Sequence, residues 1–452
     1  MPRRRDRKRD VLVLGAGAAG LAAARDLSQA GLLVTVIEAR PRVGGRILTL
    51  HDSRAPVPLE LGAEFIHGEA PETLSVAQAA GLAVLELPDS HEIVSAGRFK
   101  PMGDFWDMVD RMNHDLARRV ASRGRDFPVS EYLESKSVPA SRRGMLRDFV
   151  QGFYAAHPER LSAESLAVER DGGAEEQEVE GKQFRIANGG DALMKWLRDG
   201  LDPERTEVRR SSVVEAVQWK RGTVSVAYRG GDRAPLLSVS ARTVLITLPL
   251  AVLKAGTVRF DPPLPAKQRA LAGIETGQVF KIVLRFRQAF WQNAEFLKER
   301  REHSRSNGRG LTFFHAHGAE VPTWWTSLPV RSPILTGYVG AIAAEQLLSE
   351  EPASRLERTL VALSDIFAVP RRELEELLDA SASHDWRADP FARGAYSYIG
   401  VGGTGAPRAL ARPVEGTLFF AGEATNGEQI GTVAGALASG RRAAREVLRA
   451  LQ

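Results

Sequence analysis

Hydrophobic residues near the start of the chain form two short runs, at positions 11–14 and 34–37, and only Thr35 interrupts the second. Between them lies a stretch rich in alanine and leucine that ends near Gly31. Short apolar runs bounded by glycine are typical of buried strands, and the longer stretch between them has the length of a helix. The pattern therefore predicts a strand–helix–strand unit over residues 10–40.

A second strand pattern lies in the middle of the chain, where residues 277–286 read GQVFKIVLRF. One face of this segment is apolar and contains Phe280, Ile282, Leu284 and Phe286. The opposite face contains Val279, Lys281, Val283 and Arg285. Alternation of this kind is typical of a half-buried strand. The pattern alone therefore predicts that Lys281 and Arg285 face water.

The remaining periodic segments add helices and one more strand–helix pair. Residues 102–204 are predicted to be mainly helical, and residues 255–395 to contain both strands and helices. Residues 417–437 read TLFFAGEATNGEQIGTVAGAL, which predicts a buried strand, a Gly-Glu turn and a helix that begins near Gly431 and Thr432.

Composition narrows the class of protein. The 452 residues are 43% hydrophobic, enough for a large core in two or three domains. Lys and Arg exceed Asp and Glu only by 61 to 56, so no nucleic-acid binding is expected. The basic segment 1–10 and the charged segments 170–183 and 298–310 are predicted to be exposed to solvent. No run of 18 apolar residues occurs, and we expect a soluble, cytoplasmic protein with no membrane span.

Cysteine and histidine limit the chemistry further. The chain has no cysteine, which excludes disulfides, iron–sulfur clusters, thiol nucleophiles and a cysteinyl bond to a cofactor. Its nine histidines show no ligand spacing such as HExxH, so no metal site is expected. Candidate chemistry is found instead in the glycine-rich start of the chain.

The turn after the first strand indicates a dinucleotide site. Gly15, Gly17 and Gly20 form a Gly-x-Gly-x-x-Gly sequence between the strand and the helix. In such a turn the first glycine permits a tight bend, the second lets the backbone approach a pyrophosphate, and the third lets helix and strand pack closely. Glu38, at the end of the second strand, is placed to accept hydrogen bonds from ribose hydroxyls. Because these parts occur in order, a bound dinucleotide is predicted.

Two further segments favour a long cofactor. Residues 41–47, PRVGGRI, combine a glycine pair with Arg46, which can neutralise a phosphate. The helix predicted after Gly431 would bring another helix N-terminus, which is favourable for negative charge. Two distant sites of this kind suit FAD better than NAD.

Motifs along most of the chain resemble those of the flavin-containing amine oxidase family, which includes monoamine oxidases, polyamine oxidases and lysine-specific histone demethylases. The resemblance runs from Val11 to about Leu448, and its landmarks are GAGAAGLAAARDL, EARPRVGGRI, LELGAEFIHG, FRIANGGDALMKWL, VLITLPLAVLKAGTVRFDPPLP, FKIVLRF, DWRADPFARGAYSYIGVG and LFFAGEATNGEQIGTVAGALASG. It implies an α/β fold with two domains. A Rossmann-like FAD-binding domain would be assembled from residues 1–85, 205–255 and 396–452, and an α+β substrate-binding domain from residues 86–204 and 256–395.

The resemblance also implies which residues bind FAD. They are Gly15, Gly17, Ala18, Gly20, Glu38, Ala39, Arg40, Gly45, Arg46, Gly62, Ala63, Glu64, Val214, Trp386, Gly422, Glu423, Thr432 and Val433. Val214 would meet the adenine through its backbone, and Trp386 would pack near the isoalloxazine ring. Each has a structural alternative, because Trp386 could be a core aromatic and Glu423 could cap a helix.

The same resemblance implies four catalytic residues: Lys281, Tyr396, Thr432 and His67. The family lysine lies beside the flavin and holds a water against its N5 atom, so Lys281 would not face bulk water. We expect its amino group to be nearly uncharged in a dry pocket. Tyr396 would be one wall of a cage around the substrate nitrogen, and His67 would be a wall of the active site, although a structural role for His67 stays open.

Two positions depart from the monoamine oxidase pattern. Ala395 stands where a cysteine carries the flavin covalently in mitochondrial monoamine oxidases, so FAD is expected to bind noncovalently. Thr432 stands where those enzymes have the second cage tyrosine. The cage thus resembles that of the polyamine oxidases and histone demethylases, but the chain lacks the long charged helical insertion that a demethylase needs for its partner.

The expected reaction is oxidation of a primary biogenic or a secondary amine to an imine, which hydrolyses to an aldehyde while O2 is reduced to hydrogen peroxide. A polyamine oxidase and an L-amino-acid oxidase are alternatives, and the latter would need Arg285 or Arg393 to bind a carboxylate. A noncatalytic flavoprotein scaffold is the alternative from another class. Candidate channel aromatics are Phe153, Phe314, Trp324 and Trp325. The expected partners are a small-molecule amine and O2, and a homodimer stays open.

Overall fold

The computed structural model describes residues 9–103, 105–167, 182–231, 234–293, 295–296 and 310–452. Residues 1–8 of the basic N-terminal segment and almost all of the two predicted loops, 170–183 and 298–310, lie outside these residues, whereas Arg9 and Asp10 belong to the first strand. None of the helices in the described ranges combines the length and the apolar content needed to cross a bilayer.

The described elements alternate between strands and helices along most of the chain. The strands are β1 (Arg9–Leu14), β2 (Val34–Ile37), β3 (Thr49–Leu50), β4 (Leu59–Glu60), β5 (Ile66–His67), β6 (Val84–Glu86), β7 (His91–Ser95), β8 (Arg98–Pro101), β9 (Gln183–Ile186), β10 (Thr206–Arg209), β11 (Val213–Lys220), β12 (Thr223–Arg229), β13 (Leu236–Ile246), β14 (Arg259–Asp261), β15 (Ile274–Thr276), β16 (Val279–Phe286), β17 (Phe313–His315), β18 (Thr323–Thr326), β19 (Ile334–Gly340), β20 (Leu378–Ser383), β21 (Ser397–Ile399) and β22 (Leu418–Phe420). The helices are α1 (Ala18–Gln29), α2 (Pro71–Ala79), α3 (Phe105–Arg123), α4 (Val129–Leu133), α5 (Ala140–Phe153), α6 (Ala163–Leu166), α7 (Asp191–Asp199), α8 (Leu250–Lys254), α9 (Pro265–Ala272), α10 (Ala341–Leu348), α11 (Pro352–Phe367), α12 (Arg371–Leu377), α13 (Ala406–Ala411) and α14 (Val433–Leu451).

Parallel strands form the centre of the first sheet. Its order is β10-β2-β1-β13-β12-β11-β14, and β22 also pairs with β13. The pairs β10–β2, β2–β1, β1–β13 and β13–β22 are all parallel. Leu14 lies opposite both Ile37 and Ile246, so the carboxyl ends of the central strands are level. In open α/β sheets this edge is where ligands bind. The predicted α/β fold and the strand–helix–strand unit are confirmed.

The first and last helices pack against the same sheet. The first core contains β1 and β2 side chains together with Leu21 and Leu27 of α1 and Leu437 and Val447 of α14. Gly440 lets α14 approach α1 closely, because a Cβ there would collide with the carbonyl oxygen of Ala19. Helices α1 and α14, from opposite ends of the sequence, therefore form one layer beside the first sheet.

The second sheet corrects the expectation that β16 is half-buried. Its order is β20-β16-β19-β18-β17-β7-β8, with β16 between two antiparallel neighbours. All eight residues of β16 are buried, including Lys281 and Arg285. The strand is covered on both faces, which the period-two pattern could not reveal. The expectation that Lys281 and Arg285 face water is wrong.

The sequence assigned residues 186–201 to the substrate-binding domain, but the structure places their apolar side chains elsewhere. Ile186, Leu193, Met194, Leu197 and Leu201 all belong to the core of the first sheet. The prediction that residues 102–204 are mainly helical could not indicate the sheet against which each helix packs. Helices α3 to α6 instead form a separate core around residues such as Met112 and Val150.

Candidate active site

A cavity of about 1380 Å³ lies between the carboxyl edge of the first sheet and one face of the second sheet. Small-molecule pockets commonly measure about 300–1,000 Å³, so this volume can hold a dinucleotide together with a substrate. Of the predicted site residues, all except Gly20 line it. The structure therefore brings together residues that lie up to about 400 positions apart in the chain.

One end of the cavity has the geometry of a nucleotide site. Gly15 has a positive φ of 106°, which glycine adopts readily. The Glu38 carboxylate accepts hydrogen bonds from the backbone N–H groups of Ala16, at 2.7 Å, and Arg40, at 2.8 Å. These bonds fix the carboxylate beside the turn and leave lone pairs for ribose hydroxyls.

The backbone around the turn fits a pyrophosphate. A Cβ added to Gly17 would have its closest neighbour at 4.0 Å, the Cα of Gly45, so two glycine backbones face each other across open space. No side chain of the described residues caps the first turn of α1, and its N–H groups remain available to an anion. Gly20 does not line the cavity. A Cβ there would collide with the Gly15 carbonyl, so its role is the predicted packing of helix against strand.

Arg46 and Glu423 connect the two segments that were predicted to approach phosphate groups, residues 41–47 and the start of α14. The Arg46 guanidinium donates to the Ala395 carbonyl at 2.6 Å and to Glu423 at 2.9 Å. Glu423 also accepts from the backbone N–H of Gly431 at 3.0 Å, just before α14 begins. The side chain that caps α14 is Thr432, not Glu423, because Thr432 Oγ1 accepts from the N–H of Gly435 at 2.9 Å.

Arg40 and Trp386 connect the nucleotide end to the loop before β21. Arg40 donates to Asp389 at 2.7 Å, and hydrogen bonds from His384 and Arg40 hold the pKa of Asp389 well below its usual range despite burial. Trp386 is buried and donates from its indole N–H to the Leu61 carbonyl at 3.0 Å. It lines the cavity as well, so the structural alternative and the predicted position beside the cofactor are compatible.

Lys281 lies at the other end of the cavity. Its side chain is only 6% exposed, and Nζ donates to the Glu64 carboxylate at 2.7 Å and to the Gly62 carbonyl at 3.1 Å. A carboxylate at this distance stabilises the ammonium form. The expectation of a nearly uncharged amino group is therefore not supported, because a sequence pattern could not reveal Glu64 as its partner.

Glu64 is bound from several directions. Arg185 of β9 forms an ion pair with it at 2.9 Å, and the Trp325 indole N–H donates to both carboxylate oxygens at 3.1 and 3.2 Å. Burial opposes ionisation of Glu64, but Lys281 and Arg185 hold the pKa of its carboxyl below the usual range. A charged triad of Arg185, Glu64 and Lys281 therefore borders the cavity.

Tyr396 has a partner that the sequence did not indicate. The hydroxyls of Tyr396 and Tyr338 lie 2.6 Å apart, and Tyr338 is directly opposite Lys281 in the neighbouring strand β19. The two hydroxyls also lie 3.0 Å from the carbonyl oxygens of Phe153 and Gly152 respectively, at the end of α5. Burial raises the pKa of Tyr396 to about 12, so this hydroxyl stays protonated. Strand alternation around Lys281 could have identified Tyr338 only if the β16–β19 pairing were known.

His67 and Thr432, the other predicted catalytic residues, also line the cavity. The His67 ring makes edge contacts with Phe65 and Phe153 at centroid distances of 6.1 and 5.7 Å. His67 faces the cavity, and desolvation lowers its pKa to about 4, so the imidazole is neutral at physiological pH. The Thr432 hydroxyl donates to the Gln429 carbonyl and accepts from Gly435, which commits it to the start of α14.

The predicted channel aromatics divide into two groups. Phe153 and Trp325 line the cavity, but Phe314 and Trp324 are fully buried in the core of the second sheet, so their assignment to the channel is wrong. Trp324 and Trp325 are neighbours in β18 but face opposite sides of the sheet, and a single sequence does not distinguish the two faces. Further aromatic and imidazole rings complete the wall: Trp106, Phe149, His91, Phe313 and His315.

The two arginines considered for carboxylate binding are also separated by the structure. Arg285 forms ion pairs with Asp52 and Asp379 and does not line the cavity, so it is wrongly placed as a substrate anchor. Arg393 does line the cavity, beside the segment that contains Ala395.

Comparison with known proteins identifies the family to which a chain with this fold and this cavity belongs. A family model described as flavin containing amine oxidoreductase matches residues 18–448. The chain belongs to this family. It is therefore an oxidoreductase that acts on CH–NH groups, and a flavin is the cofactor that its family implies.

The relatives of the chain include polyamine oxidases and lysine-specific histone demethylases. The chain is 28% identical to probable polyamine oxidase 4 of Arabidopsis thaliana, over 95% of this chain and 85% of that protein. It is 27% identical to lysine-specific histone demethylase 1 homolog 3 of the same plant, but it spans only 30% of that protein's length. Among solved structures, wild-type putrescine oxidase bound to putrescine gives a TM-score of 0.78 at 23% identity, covering 98% of this chain and 99% of that one. Cyclohexylamine oxidase from Brevibacterium oxydans IH-35A gives 0.77 at 20% identity, covering 98% and 100%.

Proposed function

We propose that this flavin amine oxidase binds FAD without a covalent bond and oxidises a primary amine that carries an aromatic or apolar tail. The observation that carries the proposal is the cavity itself. Its nucleotide end fits a pyrophosphate, its opposite end presents Lys281 and Tyr396, and rings form much of the wall between Phe153 and Phe313.

Noncovalent binding follows from the residues around the cofactor position. Ala395 has no side-chain nucleophile, and the chain contains no cysteine. Contacts from Glu38, Arg46 and the first turn of α1 would hold the cofactor instead. Acid precipitation should therefore release the yellow colour into the supernatant, whereas a yellow pellet would contradict noncovalent binding.

The carbon next to the amine nitrogen would lose a hydride equivalent to give an imine, and a bound FAD would supply the redox chemistry that passes the two electrons to O2 as hydrogen peroxide. The protein binds and orients the amine in its neutral form. Tyr396 would place its aromatic face against the substrate nitrogen and so help to orient it. Its ring is fixed by hydrogen bonds of its hydroxyl to Tyr338 and to the Phe153 carbonyl. Water then hydrolyses the imine to an aldehyde and ammonia.

The charges near the wall favour a monoamine. The carboxylate of Glu64 is paired with Lys281 and Arg185, and that of Asp148 is paired with His317. Neither is free to bind a second ammonium group. Burial lowers the pKa of His315 to about 3, so this ring, like His67, is neutral at physiological pH. An uncharged ring or alkyl chain is the tail that such a wall binds best.

A polyamine or diamine is the second candidate, and one observation favours it. Glu69, two residues beyond His67, is exposed and also lines the cavity. Its carboxylate could bind a distal ammonium group. The similarity to a polyamine oxidase and to a putrescine-bound oxidase agrees with this candidate.

A substrate panel tests the proposal. Purified yellow protein is mixed anaerobically with phenylethylamine, tyramine, putrescine, spermidine, spermine and L-amino acids, and bleaching of the flavin is followed. Peroxide release is measured in air. We expect phenylethylamine or tyramine to react fastest, with little dependence on Glu69→Gln. Fastest reaction with spermidine, lost in Glu69→Gln, would establish the second candidate. Failure of every amine to bleach the flavin would contradict both and favour a noncatalytic scaffold.

A further inference from the structure

We propose that Glu64 is a positioning residue that holds Lys281 as a charged hydrogen-bond donor within the triad Arg185–Glu64–Lys281. This inference rests on the proposed function, because it concerns how Lys281 takes part in the amine oxidase reaction. The sequence assigned Glu64 only to cofactor contact. Its place between two buried cations gives it a different role.

The triad is assembled from separate parts of the chain. Glu64 lies in the loop between β4 and β5, whereas Lys281 comes from β16 and Arg185 from β9. Trp325 of β18 donates its indole N–H to the same carboxylate. The Lys281, Arg185 and Glu64 side chains are 6%, 13% and 9% exposed. Three strands therefore converge on one carboxylate that is largely withdrawn from water.

The charge of the triad decides the form of Lys281. With Arg185 and Lys281 positive and Glu64 negative, the triad has a net charge of about +1. If Lys281 lost its proton, the buried Glu64 carboxylate would keep only one cationic partner. Separating or neutralising one member of such a buried pair is costly. Lys281 therefore stays an ammonium through the reaction. A general-base role, which needs the neutral amine as proton acceptor, is disfavoured.

Hydrogen-bond counting shows what Lys281 can still do. An ammonium group has three N–H donors. In the described part of the chain, Nζ donates to two acceptors, the Glu64 carboxylate and the Gly62 carbonyl. One donor is left for the cavity, which Lys281 lines. A fixed cation with one free donor stabilises negative charge that develops beside it, as when electrons reach O2.

Glu60 provides a matched control. It is another buried carboxyl, four residues before Glu64, but it accepts hydrogen bonds from Gly190 N–H at 2.6 Å and from Thr49 Oγ1 at 2.9 Å. It makes no hydrogen bond with Lys281 and does not line the cavity. Glu60→Gln therefore removes a carboxyl group from the same region without deleting any hydrogen bond or ion pair of the triad, with which Glu60 interacts only through space.

The test compares Glu64→Gln with Glu60→Gln in two ways. In stopped-flow experiments on the FAD-loaded protein, Glu64→Gln should slow reoxidation by O2 on the order of 10- to 100-fold, with little change in KM for the amine. In the apoprotein, labelling of Lys281 by a small amine-reactive reagent, followed by mass spectrometry over a range of pH, should begin at lower pH in Glu64→Gln. Glu60→Gln should change both far less, because Glu60 makes no direct contact with Lys281 or Glu64.

The apoprotein measurement separates this inference from the proposed function, since it needs no amine and no turnover. A changed labelling profile in Glu64→Gln, together with no oxidation of any amine by the wild type, would support the role of Glu64 but contradict the proposed function. An unchanged labelling profile together with wild-type reoxidation in Glu64→Gln would overturn the inference. If Glu64→Gln does not fold, Glu64→Asp keeps the charge but withdraws it from Nζ by one methylene. It should slow reoxidation severalfold, and wild-type reoxidation in Glu64→Asp would equally overturn the inference.

Discussion

The two ends of the cavity are built in different ways. The nucleotide end is a backbone structure: about thirty consecutive residues supply two strands, a helix N-terminus and glycines that leave room for an anion. The reaction end is made of side chains from distant segments, namely Glu64, Arg185, Lys281, Tyr338 and Tyr396. Local geometry fixes the first end, and charge pairing and hydroxyl contacts fix the second.

This difference predicts how each end responds to substitution. At the nucleotide end, an added methyl group should matter only where it meets backbone atoms. At the reaction end, substitutions that remove a single polar side-chain atom should have the larger effect on the reaction. Variants at matched positions can therefore break or sharpen the comparison.

The largest effect is expected from Gly20→Ala. A Cβ at this position would collide with the Gly15 carbonyl, a backbone atom that cannot move without displacing α1 from β1. We expect a loss of stability of about 3 kcal/mol or more, because overpacking against backbone has no flexible neighbour to relieve it. Thermal unfolding of the apoprotein measures this loss.

Gly17→Ala is the matched control, since its new methyl group would meet nothing closer than the Gly45 Cα at 4.0 Å. The apoprotein should unfold at the wild-type temperature, whereas FAD, measured by equilibrium dialysis, should bind more weakly because the methyl group enters the space left for phosphate. Equal unfolding temperatures for the two variants would contradict the assignment of Gly20 to helix–strand packing and of Gly17 to cofactor binding.

Lys281→Met should keep bound FAD but slow flavin reduction or reoxidation on the order of 100-fold. The reason is that it removes the ammonium beside the reacting atoms without changing the nucleotide end. Stopped-flow absorbance under anaerobic and aerated conditions measures the two half-reactions. Unchanged rates in both would remove Lys281 from the mechanism.

A second buried lysine supplies the control for that variant. Lys267 donates to the carbonyl oxygens of Ala409 and Leu410 at 3.1 and 2.8 Å, near the end of α13 and away from the cavity. Lys267→Met should leave both half-reactions intact but cost about 1–3 kcal/mol of stability, because those carbonyls lose their donor. Slowed chemistry in Lys267→Met would show that loss of any buried lysine disturbs the site.

The same contrast explains what the sequence could and could not predict. Gly15, Gly17, Gly20 and Glu38 lie within one strand–helix–strand unit, and their spacing alone implied most of the observed geometry. Lys281 was placed correctly only through the family resemblance, since strand alternation put it in water. Its partner Glu64 is 217 residues away, and one sequence carries no signal for that pairing.

The aromatic residues show the same limit. Phe314 and Trp324 are as apolar as Phe313 and Trp325, but alternate positions of β17 and β18 face opposite sides of the sheet. Choosing the cavity side requires knowing what covers each face. That information comes from helices and strands far away in the chain.

Glu60→Gln should make stability less dependent on pH. Burial, supported by the negative charge of Glu64, raises the pKa of Glu60 from about 4.5 to about 7 in the folded state. A raised carboxyl pKa means that the folded protein prefers the protonated form, so the wild type loses stability as pH rises from about 4.5 to 7. Above pH 7 the variant should be more stable than the wild type by about 2–3 kcal/mol.

Chemical denaturation at pH 5 and pH 8 measures this effect. The stability advantage of Glu60→Gln should be small at pH 5 and nearly complete at pH 8. An advantage of the same size at both pH values would contradict a titrating Glu60. Turnover at pH 8 should be unchanged in the variant, since Glu60 lies outside the cavity.

The smallest effect is expected from Tyr338→Phe. This substitution keeps the ring in β19 but removes the hydroxyl that lies 2.6 Å from Tyr396. Tyr396 retains the Phe153 carbonyl as a hydrogen-bond partner at 3.0 Å, so its ring should be loosened, not released. A lost hydrogen bond of this kind is worth about 1 kcal/mol, equivalent to roughly a fivefold fall in kcat/KM. Tyr396→Phe deletes the same contact and also the hydrogen bond to the Phe153 carbonyl, so it should cause a larger fall. The double variant should be little worse than Tyr396→Phe alone, because the contact between the two hydroxyls is already lost. Losses that multiply in the double variant would show that the two tyrosines act independently, and the reaction end would then depend on separate side chains without a shared contact.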